Sequence, residues 1–192
     1  MFSKIVPIAV LLLAFPLFSP VSSSPQKTVG ERLGEWETDP VIEICAMPTE
    51  MQVGTAVMSA TDKWRGLGYR IADVTAEMNS VSPCQTGNVG GYIVIELDSD
   101  VPNPITYLMV DSRGNIAWAK IKLPGPVGDR VIEHEIGHAL GWEHNDISGH
   151  IMNGVYSLGG DSYHGMSVGD RYYPPLRSFP GARAPRRGSL RD

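Results

Sequence analysis

A histidine-rich motif in the second half of the chain constrains the fold more than any other feature. His134 and His138 stand four residues apart, and Glu135 lies between them. On an α-helix this spacing corresponds to about 400° of rotation, so both imidazoles lie on one face and converge on one point. The spacing therefore predicts a helix here, with two histidines that bind the same metal ion.

A glycine and a third histidine complete the motif. Gly141 can take the left-handed backbone conformation that ends a helix at little cost, so the chain can reverse and bring His144 to the metal. Three protein ligands leave the fourth position of a tetrahedral zinc ion open to water, as in catalytic zinc sites. The residues predict one catalytic Zn²⁺ with His134, His138 and His144 as ligands.

Glu135 follows the first ligand and is the predicted catalytic residue. Zinc lowers the pKa of a bound water from 15.7 to about 7, and a neighbouring carboxylate can take the proton as the water attacks a carbonyl carbon. The same carboxyl can then protonate the departing amine. A zinc site without catalysis and a helix with metal-free surface histidines are the alternatives. Five fixed positions of this kind recur by chance in about one chain in 10⁵, which disfavours the second.

The motif HExxHxxGxxH followed by a methionine resembles that of the metzincin clan of zinc endopeptidases. Residues 151–156 resemble the methionine turn of the matrixin-like branch, and the resemblance places Met152 beneath the metal ligands. Asn145 departs from the Ser or Thr usual in matrixins. Gly154 stands where some metzincins carry a tyrosine that binds zinc. The clan is therefore better indicated than any one family within it.

The resemblance also implies a fold and a substrate-binding strand. The expected fold is α+β, with a twisted, mostly parallel sheet, one antiparallel edge strand, a backing helix, the zinc helix and a short C-terminal part. In metzincins an edge strand borders the cleft and pairs with the substrate. Residues 116–123, with Lys120 and Lys122 on one face, are the candidate for that strand. An ordinary sheet strand is the alternative. The candidate rim residues are Ile116, Ala117, Trp118 and Ala119.

Periodicity gives a coarse order of elements before the zinc helix. Residues 41–44, 69–76 and 92–97 read as strands, and residues 107–111 and 116–123 as a hairpin. A helix is predicted after a capping box at Thr49 and Gln52, with apolar residues at helical spacing up to Trp64. This helix is expected to end between Gly66 and Gly68.

The N-terminal residues resemble a targeting segment. Lys4 precedes an apolar run at residues 5–18, and small residues follow up to Ser24. This pattern predicts a secretory signal peptide at residues 1–24, with an uncleaved anchor as the alternative. The expected organisation then comprises a short leader or pro-segment at 25–40, a catalytic domain at 41–176 and a basic, disordered tail at 177–192. The mature protein is expected to be secreted, extracellular or periplasmic.

Two cysteines agree with export. Cys45 and Cys84 form an even pair in a chain predicted to reach an oxidising compartment, which favours one disulfide bond. Two buried thiols, or a cysteine that caps the zinc in a latent form, are the alternatives.

The net charge of the chain limits which kinds of molecule it can bind. Residues 25–174 carry ten Lys and Arg against twenty Asp and Glu, a net charge of −10. Because binding to phosphates needs a basic face, a nucleic-acid partner is not expected. The expected partner is a protein or peptide substrate, with a monomeric chain and no stable membrane insertion. Asp98 and Asp100 are candidate Ca²⁺ ligands. His150 and His164 are predicted to be surface residues, with an accessory role at the zinc as the alternative.

The sequence thus predicts a secreted zinc endopeptidase in which Glu135 activates the zinc-bound water. Two alternatives stay open. One is another zinc amidase or hydrolase on the same scaffold. The other is an exported binding module that keeps zinc for stability alone.

Overall fold

The computed structural model of the protein describes residues 32–45, 51–76 and 83–168. Several predictions lie outside these residues. They are the signal peptide at 1–24, the first part of the leader at 25–31, Thr49 of the capping box, and the tail at 177–192.

A six-stranded sheet forms the centre of the fold. Its strands are β1 (Glu35–Trp36), β2 (Val41–Cys45), β3 (Asp73–Thr75), β4 (Tyr92–Leu97), β5 (Ile105–Val110) and β6 (Asn115–Leu123). The order is β1-β6-β4-β2-β3 with all pairs parallel, and β5 pairs with β6 antiparallel. The predicted mostly parallel sheet is confirmed, as is the antiparallel pairing of the predicted hairpin.

Helices complete the mixed α/β structure. They are α1 (Met51–Gly66), α2 (Pro83–Thr86) and α3 (Asp129–Ala139), and a 3-10 helix follows at Tyr156–Leu158. The apolar positions that predicted α1 are all buried, namely Val53, Ala56, Val57, Ala60 and Trp64. Their side chains form one core with those of α3 and of strands β2, β4 and β6. The Trp64 indole N–H also donates to the Glu133 carbonyl oxygen at 3.0 Å, which joins α1 to α3.

The predicted edge strand is placed differently by the structure. β6 pairs with β5 on one side and with β1 and β4 on the other, so it is an interior strand. Lys120 and Lys122, taken as signs of an exposed edge, instead form ion pairs with carboxylates of Glu96 and Asp98. The two lysines therefore pair with an acidic side chain of the neighbouring strand β4 and with another just after that strand. Within the described residues β5 pairs only with β6 and lies at one edge of the sheet, while β3 lies at the other.

The segment before residue 41 packs against the rest of the fold. Residues 32–40 were predicted to belong to a leader, but β1 lies in this segment and pairs with β6. The backbone N–H of Leu33 also donates to the carbonyl oxygen of Gly141 at 2.7 Å. Residues 32–40 therefore supply a strand to the sheet and contact the end of α3, and whether they form a removable leader stays a prediction.

The predicted disulfide bond is present between Cys45 at the end of β2 and Cys84 in α2, with Cα atoms 5.5 Å apart. The two alternatives, buried free thiols and a cysteine on the zinc, are therefore excluded. Among the helices of the described segments, none combines the length and the hydropathy that crossing a bilayer requires.

Candidate metal centre

Helix α3 positions two of the three predicted ligands. His134 and His138 lie one turn apart on it, and the helix ends at Ala139 as the sequence predicts. Gly141 has φ +98°, the left-handed conformation that non-glycine residues rarely adopt. A Cβ atom at this position would also collide with the backbone oxygen of Gly34. Gly141 therefore allows both the reversal of the chain towards His144 and the close approach of the N-terminal segment.

The three predicted ligand atoms converge. The Nε2 atoms of His134, His138 and His144 lie 3.1 Å from one another in each of the three pairs. An ion about 2.0–2.1 Å from all three, the usual zinc–nitrogen distance, would have N–metal–N angles of about 95–102°. This is close to tetrahedral geometry, and it leaves one side of the ion open. The residues fit a metal ion of the size of zinc.

The outer ring nitrogens of two ligands are held by backbone carbonyl groups. Nδ1 of His134 lies 2.6 Å from the oxygen of Ile151, and Nδ1 of His138 lies 2.6 Å from that of Trp142. Because a carbonyl oxygen only accepts, each Nδ1 must carry the proton, and Nε2 keeps its lone pair for a metal. Lone pairs that face one another at 3.1 Å repel unless a cation lies between them. The acceptors of both N–H groups are thus backbone oxygen atoms.

Burial favours the neutral form of two of the three histidines, His138 and His144. It lowers the pKa of His138 to about 3, with the charge of His134 as the next cause. It also lowers the pKa of His144 below its usual value. Neutral imidazoles are the form that binds metal ions.

Within the described segments, these histidines form the single group of three or more His, Cys, Asp or Glu side chains arranged to hold a metal ion. The candidate calcium ligand Asp98 has other partners. Its Oδ2 accepts from Lys122 Nζ at 2.7 Å, and its Oδ1 accepts from the backbone N–H of Asp100 at 3.0 Å. The calcium prediction gains no support from this arrangement.

Glu135 lies beside the ligands in a largely apolar setting. It is 6% exposed, and its Oε2 accepts a hydrogen bond from the hydroxyl of Thr106 at 2.6 Å. Burial raises the pKa of the Glu135 carboxyl, while the Thr106 hydrogen bond and the charge of His134 oppose this shift. Thr106 belongs to β5, and no motif in the sequence pointed to it.

The methionine and the glycine after it pack closely around the site. Met152 is fully buried, and a Cβ atom at Gly137 of α3 would come within 2.5 Å of its sulfur. A Cβ atom at Gly154 would lie 3.1 Å from the Cγ atom of the His144 ring. Gly137 and Gly154 thus let the methionine segment approach the helix and the third ligand.

His150 is buried, contrary to the prediction that it lies at the surface. It is 0% exposed, and its Nδ1 accepts from the Asn145 side-chain amide at 2.8 Å and from the Met152 backbone N–H at 3.0 Å. Its Nε2 donates to the carbonyl oxygen of His164 at 3.1 Å. The imidazole therefore holds the loop that follows His144 against Met152. His164 itself is exposed, as predicted.

The N-terminal segment holds the C-terminal end of helix α3. The last helical carbonyl groups have no partner within a helix and must be satisfied elsewhere. Here the Ala139 oxygen accepts from the Trp36 indole at 2.9 Å, and the Leu140 oxygen accepts from the Arg32 guanidinium at 3.0 Å. The Leu33–Gly141 bond follows. Sequence reasoning missed this role because these contacts join residues more than 100 positions apart.

A cavity of about 570 Å³ contains the three histidines and Glu135. β5 forms one wall with Ile105, Thr106 and Leu108, and the loop at 153–159 forms another. The predicted rim residues do not line it: Ile116 and Ala119 are buried in the sheet. The strand that borders the cavity is therefore β5 and not β6.

Comparison of the sequence with models of known protein families gives no match, and comparison with curated proteins gives none either.

Proposed function

We propose that this chain is a secreted, zinc-dependent endopeptidase of the metzincin type. One observation carries the proposal: three imidazole Nε2 atoms converge to 3.1 Å in a cavity that also contains the buried carboxyl of Glu135. The histidine spacing and the buried Met152 agree with the clan that the motif resembles.

Zinc is the proposed metal because the ligand set is three neutral imidazoles. Zinc accepts nitrogen ligands in tetrahedral geometry, whereas calcium and magnesium prefer oxygen. Bound zinc would lower the pKa of a coordinated water to about 7 and polarise the carbonyl of a substrate.

The carboxyl of Glu135 is the proposed general base and then general acid. It takes one proton from the water as the water oxygen bonds to the carbonyl carbon of the peptide. When the C–N bond breaks, it returns that proton to the nitrogen, so that a carboxylic acid and an amine leave. Burial of Glu135 suits this double role, because it brings the pKa of the carboxyl closer to neutral pH.

β5 is the proposed docking strand for the substrate. It lies at the edge of the sheet, and its inward residues Thr106 and Leu108 line the cavity. An extended peptide can add to such an edge through backbone hydrogen bonds. Exposed apolar side chains on both sides of the cavity favour an unfolded or extended protein substrate: Ile105, Tyr107 and Met109 on β5, and Val155, Tyr156 and Leu158 opposite.

Export is supported by the Cys45–Cys84 disulfide bond, because structural disulfides form in oxidising compartments. The signal peptide remains a prediction from the sequence.

Two alternatives differ in chemistry. A zinc amidase on this scaffold that is not a general peptidase would bind zinc and use Glu135, but it would not cleave ordinary peptides. A zinc-stabilised binding module would bind zinc without any hydrolysis, and its domain would unfold when the metal is removed.

The test is cleavage of a mixed, unfolded peptide library by the parent protein and by Glu135→Ala, each with its zinc content measured. The proposal expects cleavage by the parent and none by the zinc-loaded variant. Zinc in both proteins with cleavage by neither would reject general proteolysis and favour the alternatives.

A further inference from the structure

We propose that Thr106 is a positioning residue that holds the carboxylate of Glu135 in its working orientation. The inference rests on the proposed hydrolysis and adds a residue of β5 to it. The main evidence for it is the hydrogen bond of 2.6 Å from the Thr106 hydroxyl to Oε2 of Glu135.

The length of this bond indicates a strong interaction. Hydroxyl donors lie about 2.5–2.7 Å from ionised carboxylates, and such bonds are roughly twice as strong as neutral ones. The same hydroxyl lies 3.3 Å from the backbone oxygen of Glu135. A hydroxyl has one proton, so the shorter contact to the carboxylate takes it.

The bond determines which carboxylate oxygen can accept a proton. The terminal torsion of a glutamate is broad and roughly two-fold, so the side chain alone does not fix the orientation of its carboxylate. A donor on Oε2 selects one orientation and leaves Oε1 available to the water. Without the hydroxyl the carboxylate would rotate within the cavity, and fewer orientations would suit proton transfer.

The hydroxyl is not needed to hold β5 in the sheet. Thr106 lies opposite Ile121 in the β5–β6 ladder, which runs along the whole of β5. Valine has the same branching and suits a strand, so Thr106→Val removes the donor while the strand stays paired. The strand thus supplies a rigid support for a side chain on a different element, α3.

The experiment measures kcat, KM and zinc content for Thr106→Val and Thr106→Ser with a peptide that the parent cleaves. We expect Thr106→Val to lower kcat about 10- to 100-fold while KM and zinc content stay within twofold. Thr106→Ser keeps a donor and should recover most of kcat. Thr75→Val is the matched control, because Thr75 lies on β3, and its hydroxyl donates to the Ile42 oxygen instead.

A second measurement separates positioning from general damage to the fold. In the Glu135→Gln background, Thr106→Val should change the residual rate by less than twofold, because the group that it positions is already absent. A fall as large as that in the parent background would assign Thr106 a structural role and overturn the proposal.

Other outcomes are equally decisive. Thr106→Val with the parent's kcat, or Thr106→Ser as slow as Thr106→Val, overturns the positioning role and leaves the proposed function intact. A parent that binds zinc and cleaves no peptide overturns the proposed function itself, and the role of Thr106 with it.

Discussion

The side-chain amide of Asn145 donates a hydrogen bond of 2.8 Å to Nδ1 of the buried His150. Asn145 directly follows the third metal ligand, and its own backbone N–H donates to the Met152 oxygen at 2.8 Å. The loop that carries His144 is therefore fixed by a histidine whose two ring nitrogens both form hydrogen bonds. Its imidazole works as an acceptor for two donors and as a donor for one carbonyl group.

We expect His150→Ala to lower the free energy of unfolding by about 2–4 kcal/mol, because it leaves a cavity and several buried polar groups without partners. It should also weaken zinc binding, since the loop no longer holds His144. Chemical denaturation and zinc titration check both effects. His164→Ala is the matched control: the hydrogen bond to His150 comes from the backbone oxygen of this exposed residue and survives the change, so stability should change by less than about 0.5 kcal/mol. Equal effects of the two variants would contradict the role of His150.

Acid should destabilise the metal-free protein through the same histidine. Burial lowers the pKa of His150, and the charges of His164 and His134 lower it further, although the bond to the His164 carbonyl opposes the shift. The unfolded chain, with a histidine pKa of about 6.5, therefore takes up the proton first as the pH falls. The stability that neutral His150 contributes is fully present above about pH 6.5, and it is lost as the pH falls toward the pKa of His150 in the folded protein.

The measurement is the free energy of unfolding of the metal-free parent and of His150→Phe between pH 7.5 and pH 5. The parent should lose more stability than the variant over this range. His138 and His144 have lowered pKa values and contribute in the same direction, so the difference between the two proteins isolates His150. Parallel curves would contradict the prediction.

The N-terminal segment should behave as part of the domain. Trp36→Phe removes the donor to the Ala139 oxygen at the end of α3 and should cost about 1–2 kcal/mol of stability. Trp118→Phe is a control for the loss of an indole, because Trp118 is half-buried on β6 and lies opposite Met109 of β5. If the segment were a removable pro-segment, a chain that begins at residue 41 would keep its zinc and its stability. We expect it to lose both.

The disulfide bond should raise the free energy of unfolding by about 3–4 kcal/mol, as expected for a closed loop with a sequence separation of 39 residues. The variant with both Cys45→Ala and Cys84→Ala should therefore unfold at lower denaturant concentration, with little change in zinc affinity, since neither cysteine belongs to the metal centre. A loss of zinc without a loss of stability would contradict this separation.

The convergence of His134, His138 and His144 was predictable because their pattern in the sequence is local. The spacing of His134 and His138 follows helical geometry, and the reversal at Gly141 follows from the conformations open to glycine. The buried face of α1 was equally predictable, since its apolar residues recur with the spacing of an α-helix. In each case the residues that act together lie within two or three turns of one another.

The remaining parts of the site depend on contacts between distant segments. Whether β5 or β6 lies at the edge is decided by which strands pair with β6, and Lys120 gives no information about that pairing. Thr106 and Trp36 contact α3 from other elements. His150 has ordinary neighbours in the sequence, and its burial follows from how the loop at 145–164 closes on itself.

The most direct measurement is X-ray absorption at the zinc edge of the purified, zinc-loaded protein. We expect one zinc per chain with three nitrogen neighbours and one oxygen neighbour at about 2.0–2.1 Å. The loss of one nitrogen neighbour in His144→Ala would assign the third ligand. No bound zinc, a sulfur neighbour, or a shell of six oxygen atoms would contradict the proposed metal centre.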